Sequence, residues 1–263
     1  MIDLHAHVLP GIDDGPPELE ASIELLRAAA ADGTRTIAAT PHLRHDFPKV
    51  EVRDLAEGCR RVRDAMPPDV GIELVQAAEV DLVWSHGAGP EELRLASYAQ
   101  RGHDLLVETP YGGLGENFET MLSRLRVQGY RVLLAHPELN ASFQRDPGRL
   151  ARLVAQGTLV QLTAASLTRP DRKSRSCRLA RRLVEDGLAH VLASDSHSAG
   201  PFRPPGLSAA VLAAAQLDPG RAEWMVTEAP AAILAGEQLE QPSRGRLRGI
   251  GRLARLRRRL ARR

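Results

Sequence analysis

Short β-like runs alternate with amphipathic helical segments, and this alternation limits the fold more than any other feature. Seven runs lie at residues 2–8, 34–40, 71–79, 103–108, 130–136, 157–163 and 188–194. The segments between them include LEASIELLRAAAADG, NFETMLSRLRVQG, PGRLARLVAQG and KSRSCRLARRLVEDG, and each ends in the glycine that often follows a helix. Repeated β-then-α order predicts a parallel sheet, and seven units favour its closure into an α/β barrel. A doubly wound open sheet is the alternative, but no glycine-rich nucleotide-binding motif follows the first run.

Polar side chains of one kind follow most of these runs. Histidines or acids stand at the ends of six strands or just beyond them: His5, His7, His42, Glu79, Glu108, His136, Asp195 and His197. The loop after the first run adds the adjacent pair Asp13 and Asp14. Barrels of this class build their sites at the carboxyl edge of the strands, so we expect these side chains to meet. Nitrogen and oxygen ligands without thiolates suit Mn, Fe or Zn in hydrolytic sites with several metal ions.

The two cysteines do not offer a competing kind of site. Cys59 and Cys177 are isolated, and the positions six residues later hold Ala65 and Leu183. The Cys-x5-Arg loop of cysteine-dependent phosphatases is therefore absent from the sequence. Isolated thiols fit a reducing cytoplasm. No signal peptide and no apolar run of membrane-spanning length can be recognised, so we expect a cytoplasmic protein.

Charge is divided unevenly along the chain. Residues 244–263 contain ten arginines and no acid, so a net charge of +2 for all 263 residues leaves the rest near −8. Apolar residues recur every three or four positions in this basic tail, which predicts an amphipathic helix. Three interpretations stay open: a solvated terminus, a segment that binds an anionic membrane surface, and a segment that binds an acidic protein or nucleic acid.

The strand-end motifs in their order carry a family resemblance. H-x-H, T-P-H, an isolated glutamate, H-P-E and S-D-x-H resemble the PHP phosphoesterases, which implies a distorted (β/α)7 TIM-like barrel and a trinuclear metal site. The stretches MIDLHAHVLPGIDDGP, IAATPH, AHPE, ASDSH, RPPGL and TEAPAAILAGE are similar to the bacterial manganese-dependent tyrosine-protein phosphatases of capsular and exopolysaccharide operons. The resemblance spans about residues 1–240 and implies one barrel domain, with 241–263 as a separate arginine-rich tail.

The resemblance implies a ligand set, residue by residue. One metal ion would take His5, His7, Glu79 and Asp195, and Glu79 would bridge to a second ion held by Glu108 and His136. The third ion would take His42, His197 and an acid of IDDG, for which Asp14 is favoured over Asp13 because it directly precedes Gly15. Arg203 in FRPPGL matches a family arginine and would bind phosphate. The implied catalytic residues are His5, His7, Glu79, Asp195, His197 and Arg203, with up to three Mn ions and Fe or Zn as alternatives.

One position departs from the family pattern. Leu139 stands where this branch usually has an arginine after H-P-E, which puts phosphotyrosine specificity in question. Arg44 in TPHLRHD is a candidate replacement for substrate binding. The favoured function is therefore a phosphotyrosine phosphatase acting on a polysaccharide-assembly tyrosine kinase, at the inner face of the membrane if the tail binds there. The alternatives are hydrolysis of a small phosphomonoester such as histidinol phosphate, a nuclease, and a non-catalytic scaffold; the acidic body argues against nucleic acid.

Overall fold

The strands form a parallel barrel at the centre of the molecule. The computed structural model describes residues 1–242. Its strands are β1 (Ile2–Ala6), β2 (Thr36–Ala39), β3 (His42–Leu43), β4 (Glu73–Gln76), β5 (Glu79–Val80), β6 (Asp104–Glu108), β7 (Arg131–Ala135), β8 (Leu159–Thr163) and β9 (Val191–Ala193). The second and third predicted runs are each interrupted, into β2 with β3 and into β4 with β5. Pro41, which has no N–H to donate to a ladder, lies in the first of these interruptions.

All strand pairs are parallel, and the sheet closes on itself. The two halves have the orders β1-β2-β4 and β3-β5-β6-β7-β8-β9. Closure occurs beside β9, where the His7 N–H donates to the Ser196 carbonyl at 2.9 Å and the Asp195 N–H to the His5 carbonyl at 2.8 Å. The fold is a distorted (β/α)7 barrel, as the sequence predicts.

Helices surround the barrel, and four of them lie where the amphipathic segments of the sequence predict them. They are α1 (Leu19–Asp32), α2 (Leu55–Ala65), α3 (Leu82–Gly87), α4 (Pro90–Ala96), α5 (Phe118–Val127), α6 (Ala141–Arg145), α7 (Pro147–Ala155), α8 (Ala165–Thr168), α9 (Arg175–Glu185), α10 (Leu207–Ala215) and α11 (Glu228–Ala235). The glycines that follow the four predicted helices, Gly33, Gly129, Gly157 and Gly187, all have φ between 72° and 104°. Only glycine adopts this left-handed conformation without strain, so each ends its helix. No helix within residues 1–242 is long and apolar enough to cross a membrane.

A small apolar cluster inside the barrel supports the polar edge above it. Its members include Ala77, Leu106, Leu159 and Ala193. Each lies two residues before a polar residue, namely Glu79, Glu108, Gln161 and Asp195 in turn. Strand side chains alternate with a period of two, so the pairs within β6 and β8 face the same side. In these two strands the ordinary alternation carries a polar side chain to the edge, above an apolar residue of the cluster.

Candidate metal centre

The predicted ligands meet at the carboxyl edge of the barrel. Four overlapping groups each have ligand atoms within 4.8 Å of one another: His5, His7 and Asp195; His5, Glu79 and His136; His42, Glu79 and Glu108; and His7, Asp14, His42 and His197. These groups include all nine residues predicted to bind metal. Every one is buried except Asp14, which is partly open to solvent.

Glu79 lies at the centre of the cluster. Its Oε2 atom is 3.2 Å from His5 Nε2 and 3.0 Å from His42 Nδ1, while Oε1 is 2.8 Å from His136 Nε2. The two oxygens therefore face different groups of imidazoles. This arrangement suits a carboxylate that bridges two cations.

The two adjacent aspartates after β1 have different surroundings. Asp13 Oδ2 accepts hydrogen bonds from His7 Nδ1 at 2.7 Å and from the His42 N–H at 3.2 Å, and Oδ1 accepts from the Gly15 N–H at 3.0 Å. Asp14 Oδ1 instead lies 3.1 Å from His197 Nε2. The geometry supports Asp14 as a ligand and gives Asp13 the outer position that orients a histidine.

Gln161 orients a second histidine and was not recognised from the sequence. Its Oε1 atom accepts from His5 Nδ1 at 3.1 Å and from the His136 N–H at 3.2 Å. With its proton on Nδ1, His5 presents the lone pair of Nε2 to Glu79 and its neighbours. The available signal in the sequence is a glutamine in the middle of the otherwise largely apolar run LVQLT.

The donor atoms fit divalent cations. Among residues 1–242, nine buried side-chain atoms form no hydrogen bond of acceptable geometry, and four of them belong to the predicted ligands: His42 Nδ1, Glu79 Oε2, Glu108 Oε2 and His197 Nε2. Such atoms are rare in folded proteins unless an ion or water satisfies them. Burial and the charge of Glu79 also raise the pKa of Glu108 to about 7. A site that holds its carboxylates ionised therefore requires additional positive charge.

Two arginines supply part of that charge. Arg203 Nη2 donates to Asp195 Oδ1 at 2.6 Å, and its Nη1 lies 3.4 Å from Asp14 Oδ2. Arg44 Nη1 donates to Glu108 Oε1 at 2.5 Å, while its other nitrogens donate to Asp46 at 2.6 and 2.8 Å. Both predicted substrate-binding arginines thus reach the edge of the cluster. Leu139 is 37% exposed and contributes no charge.

The backbone is strained where the chain enters the site. His136, Asp195 and Arg203 have φ values of 35°, 54° and 50°, and they are three of the five non-glycine residues with positive φ in the described chain. Residues with side chains adopt this region at an energetic cost, and such residues concentrate at functional sites.

Comparisons with known proteins agree with this geometry. Residues 1–235 match the family described as capsular polysaccharide synthesis, CpsB/CapC. The chain is 32% identical over 199 residues to the tyrosine-protein phosphatase YwqE of Bacillus subtilis, covering 75% of this chain and 78% of the relative. It is 27% identical over 210 residues to the tyrosine-protein phosphatase CpsB of Streptococcus pneumoniae, and the match covers 78% of this chain and 86% of the relative.

Solved structures of tyrosine phosphatases are also similar to this chain. Crystal structures of YwqE from Bacillus subtilis and CpsB from Streptococcus pneumoniae are described as those of unique metal-dependent tyrosine phosphatases. One of these structures superposes on this chain with a TM-score of 0.81 at 28% sequence identity. The superposition covers 95% of this chain and all of the other. A β-aspartyl dipeptidase from Fervidobacterium islandicum shares only the fold, with a TM-score of 0.54 at 11% identity over 89% of this chain and 74% of the other.

Proposed function

Because the chain belongs to the CpsB/CapC family of capsular polysaccharide synthesis, we propose that it is a metal-dependent tyrosine-protein phosphatase of that process. The observation that carries the proposal is the buried cluster of nine ligand-type residues at the carboxyl edge of the barrel. Four of its atoms form no hydrogen bond of acceptable geometry within the described residues, as expected of atoms that bind cations. The metal dependence of YwqE and CpsB supports the same conclusion.

The ligand assignment is the one that the family resemblance implies, and the geometric groups support it in part: His136 lies with His5 and Glu79, and Glu108 lies with His42 and Glu79. We assign one ion to His5, His7, Glu79 and Asp195, with Glu79 shared with a second ion held by Glu108 and His136. The third ion is assigned to Asp14, His42 and His197, which form one group with His7. Mn is the proposed metal, in up to three ions, with Fe and Zn as the alternatives for the same nitrogen and oxygen ligands.

The protein's own residues bind and position the phosphate. Divalent cations held by the nine ligand-type residues would neutralise phosphate oxygens and supply a nucleophile from water near neutral pH. Arg203 borders the same site, where a guanidinium can form two parallel hydrogen bonds to a phosphate. A tyrosyl oxygen leaves readily because the phenol has a pKa of about 10, so leaving-group protonation makes a small demand on the enzyme.

The proposed partner is a phosphotyrosine protein, and specifically a tyrosine kinase of polysaccharide assembly. Leu139 keeps a second candidate function open, because the arginine expected beside the substrate is missing there. A small phosphomonoester such as histidinol phosphate is that candidate. Arg44 is proposed to contribute the missing charge if Glu108 turns to a metal ion.

A substrate panel tests the proposal. Purified protein with Mn should hydrolyse a phosphotyrosine peptide, while a phosphoserine peptide, histidinol phosphate and single-stranded DNA should react much more slowly. A chelator should abolish the activity, and added Mn should restore it. Full activity after chelation would contradict the metal mechanism, and preference for histidinol phosphate would replace the proposed substrate.

The basic tail is proposed to hold the enzyme at the inner face of the membrane. It lies outside the described residues, so its sequence alone supports this step. Each arginine close to an anionic surface contributes about 1 kcal/mol to binding. Deletion of residues 244–263 should reduce co-sedimentation with anionic vesicles, and wild-type binding should weaken as salt rises. Equal vesicle binding by both proteins would exclude this role.

A further inference from the structure

A cleft opens beside the metal centre and leads away from it. Its volume is about 520 Å³, and its inner end is lined by His136, Asp195 and Arg203. The cleft therefore shares residues with the site where a phosphate would bind. Whatever is attached to that phosphate can extend into this space.

Exposed hydrophobic side chains are concentrated in the walls of the cleft. Within the described chain, five large hydrophobic residues are exposed, and three of them, Tyr111, Leu139 and Phe202, line this cleft. Tyr111 and Phe202 are 65% and 72% exposed. Tyr111 also lies near the cluster, with its ring centre 6.5 Å from that of His136. Aromatic and aliphatic walls this close to a phosphate site suit an aryl ring, because rings gain from offset stacking as well as burial.

A basic rim borders the same cleft through Arg169. We define it as Arg169, which lines the cleft, together with Arg172 and Lys173 in the loop from α8 to α9. All three are exposed, and none forms an ion pair with an acid of residues 1–242. Residues 169–182 contain seven basic residues and only Asp171 as an acid, although residues 1–243 together carry a net charge near −8. Unpaired positive charge beside the cleft is complementary to an anionic partner and attracts one.

We propose that the cleft binds a peptide whose phosphotyrosine ring packs between Tyr111 and Phe202 and whose neighbouring acidic side chains pair with the basic rim. This inference rests on the proposed function and adds its sequence preference. The ring contact selects an aryl phosphate, and the rim selects Asp or Glu near the phosphorylated residue. The enzyme is thus specific for acidic phosphotyrosine segments.

Three phosphotyrosine peptides test the preference: one with acidic residues before the phosphotyrosine, one with acidic residues after it, and one with neutral flanks. At low salt, kcat/KM for the better acidic peptide should exceed that for the neutral peptide by about five-fold, the size expected from one or two exposed ion pairs. The ratio should fall towards one at high salt. In Arg169→Glu it should fall to one or below.

The ratio is an internal control for any general loss of activity, and a matched variant controls for net charge. Arg101→Glu makes the same change at an exposed arginine just before β6, at the opposite end of the barrel, and should keep the wild-type ratio. Phe202→Ala should raise KM for acidic and neutral peptides alike, because it removes the ring contact and leaves the rim intact.

Three results would overturn the inference. A wild-type ratio near one at low salt would remove the basic rim from substrate recognition. An equal change in Arg101→Glu would reduce the effect to net charge. A ratio near one, combined with loss of phosphatidylserine vesicle binding in Arg169→Glu, would place a membrane on the rim. If the wild type hydrolyses none of the three peptides, the proposed function itself fails, which is a distinguishable outcome.

Discussion

Replacing Asp13 by asparagine is expected to weaken metal binding, although Asp13 lies behind His7. The carboxylate accepts three hydrogen bonds, from His7 Nδ1, the His42 N–H and the Gly15 N–H, and so faces donors with both oxygens. An asparagine must turn its NH2 group towards at least one of these donors. It loses either the bond to Gly15 or the two bonds at the other oxygen.

The expected loss of metal affinity follows from the hydrogen bonds that the asparagine cannot form. If His7 moves its proton from Nδ1 to Nε2 to accept from the amide, the nitrogen that faces the other ligands can no longer bind a cation. Loss of such an outer partner typically lowers metal affinity by about 10- to 100-fold, which equals about 1.4–2.7 kcal/mol. Isothermal titration of the metal-free protein with Mn measures this difference.

Asp3→Asn is the matched control, because it makes the same substitution at a buried carboxylate on β1, the strand that precedes the loop of Asp13. Asp3 Oδ1 accepts from the His5 N–H at 3.2 Å and the Ser194 N–H at 3.0 Å, while Oδ2 has no hydrogen-bond partner among the described residues. Asparagine can keep Oδ1 and place its NH2 at the free position. Mn affinity should stay within about three-fold of wild type. Unchanged affinity in Asp13→Asn would refute the reasoning, and a loss above about 1,000-fold would make Asp13 itself a ligand.

Three further predictions concern the loop, the bridge and the fold. A Cβ atom at Gly15 would lie 2.9 Å from the His7 carbonyl oxygen, so Gly15→Ala should cost about 1–3 kcal/mol of unfolding free energy and lower Mn affinity, measured by urea unfolding and titration. Glu79→Gln should lose at least one Mn ion by elemental analysis, because a neutral amide bridges two cations poorly; full metal content would reject the bridging role. Burial lowers the pKa of His190 to about 4, so the folded state keeps this imidazole neutral. Its stabilising contribution is present above about pH 6.5 and is lost as the pH falls towards 4, by about 2 kcal/mol between pH 7 and 5. Urea unfolding with a chelator should show this pH dependence reduced in His190→Gln.

The fold was predictable because its signals are local and repeated. Each buried β-like run and each helix ending in glycine is readable alone, and Gly33 or Gly157 gives the end of its helix to within two residues. The interruptions of the second and third strands were not predicted, nor were the short helices α3 and α4. Local signals for three of these features were present, namely Pro41 in the first interruption, the Asp81 cap of α3 and Pro90 at the start of α4, but each covers too few residues to be separated from its neighbours by pattern alone.

The predicted metal ligands could also be found from the sequence, because their positions at strand ends are another local and repeated signal. Strand-end ligands such as Glu79 and Asp195 share one edge in any parallel barrel, so chain order was enough to bring them together. The different positions of Asp13 and Asp14 depend on side-chain direction within a loop. Gln161 reads as a strand residue until its contact with His5 is known, and Phe202 reads as a loop residue until the cleft is known.

The charge balance of the centre restricts the substrate further than the fold does. Four carboxylates, those of Asp14, Glu79, Glu108 and Asp195, face the cluster, and the nearby guanidiniums of Arg44 and Arg203 offset only half of this charge. A buried excess of negative charge is strongly unfavourable without cations. Three divalent ions would change the net charge of the centre from negative to clearly positive. A phosphate dianion together with a hydroxide ion would remove most of that excess, whereas a neutral ester or amide would not. The centre is therefore matched to a phosphate monoester, and the apolar cleft with its basic rim determines which one can reach it.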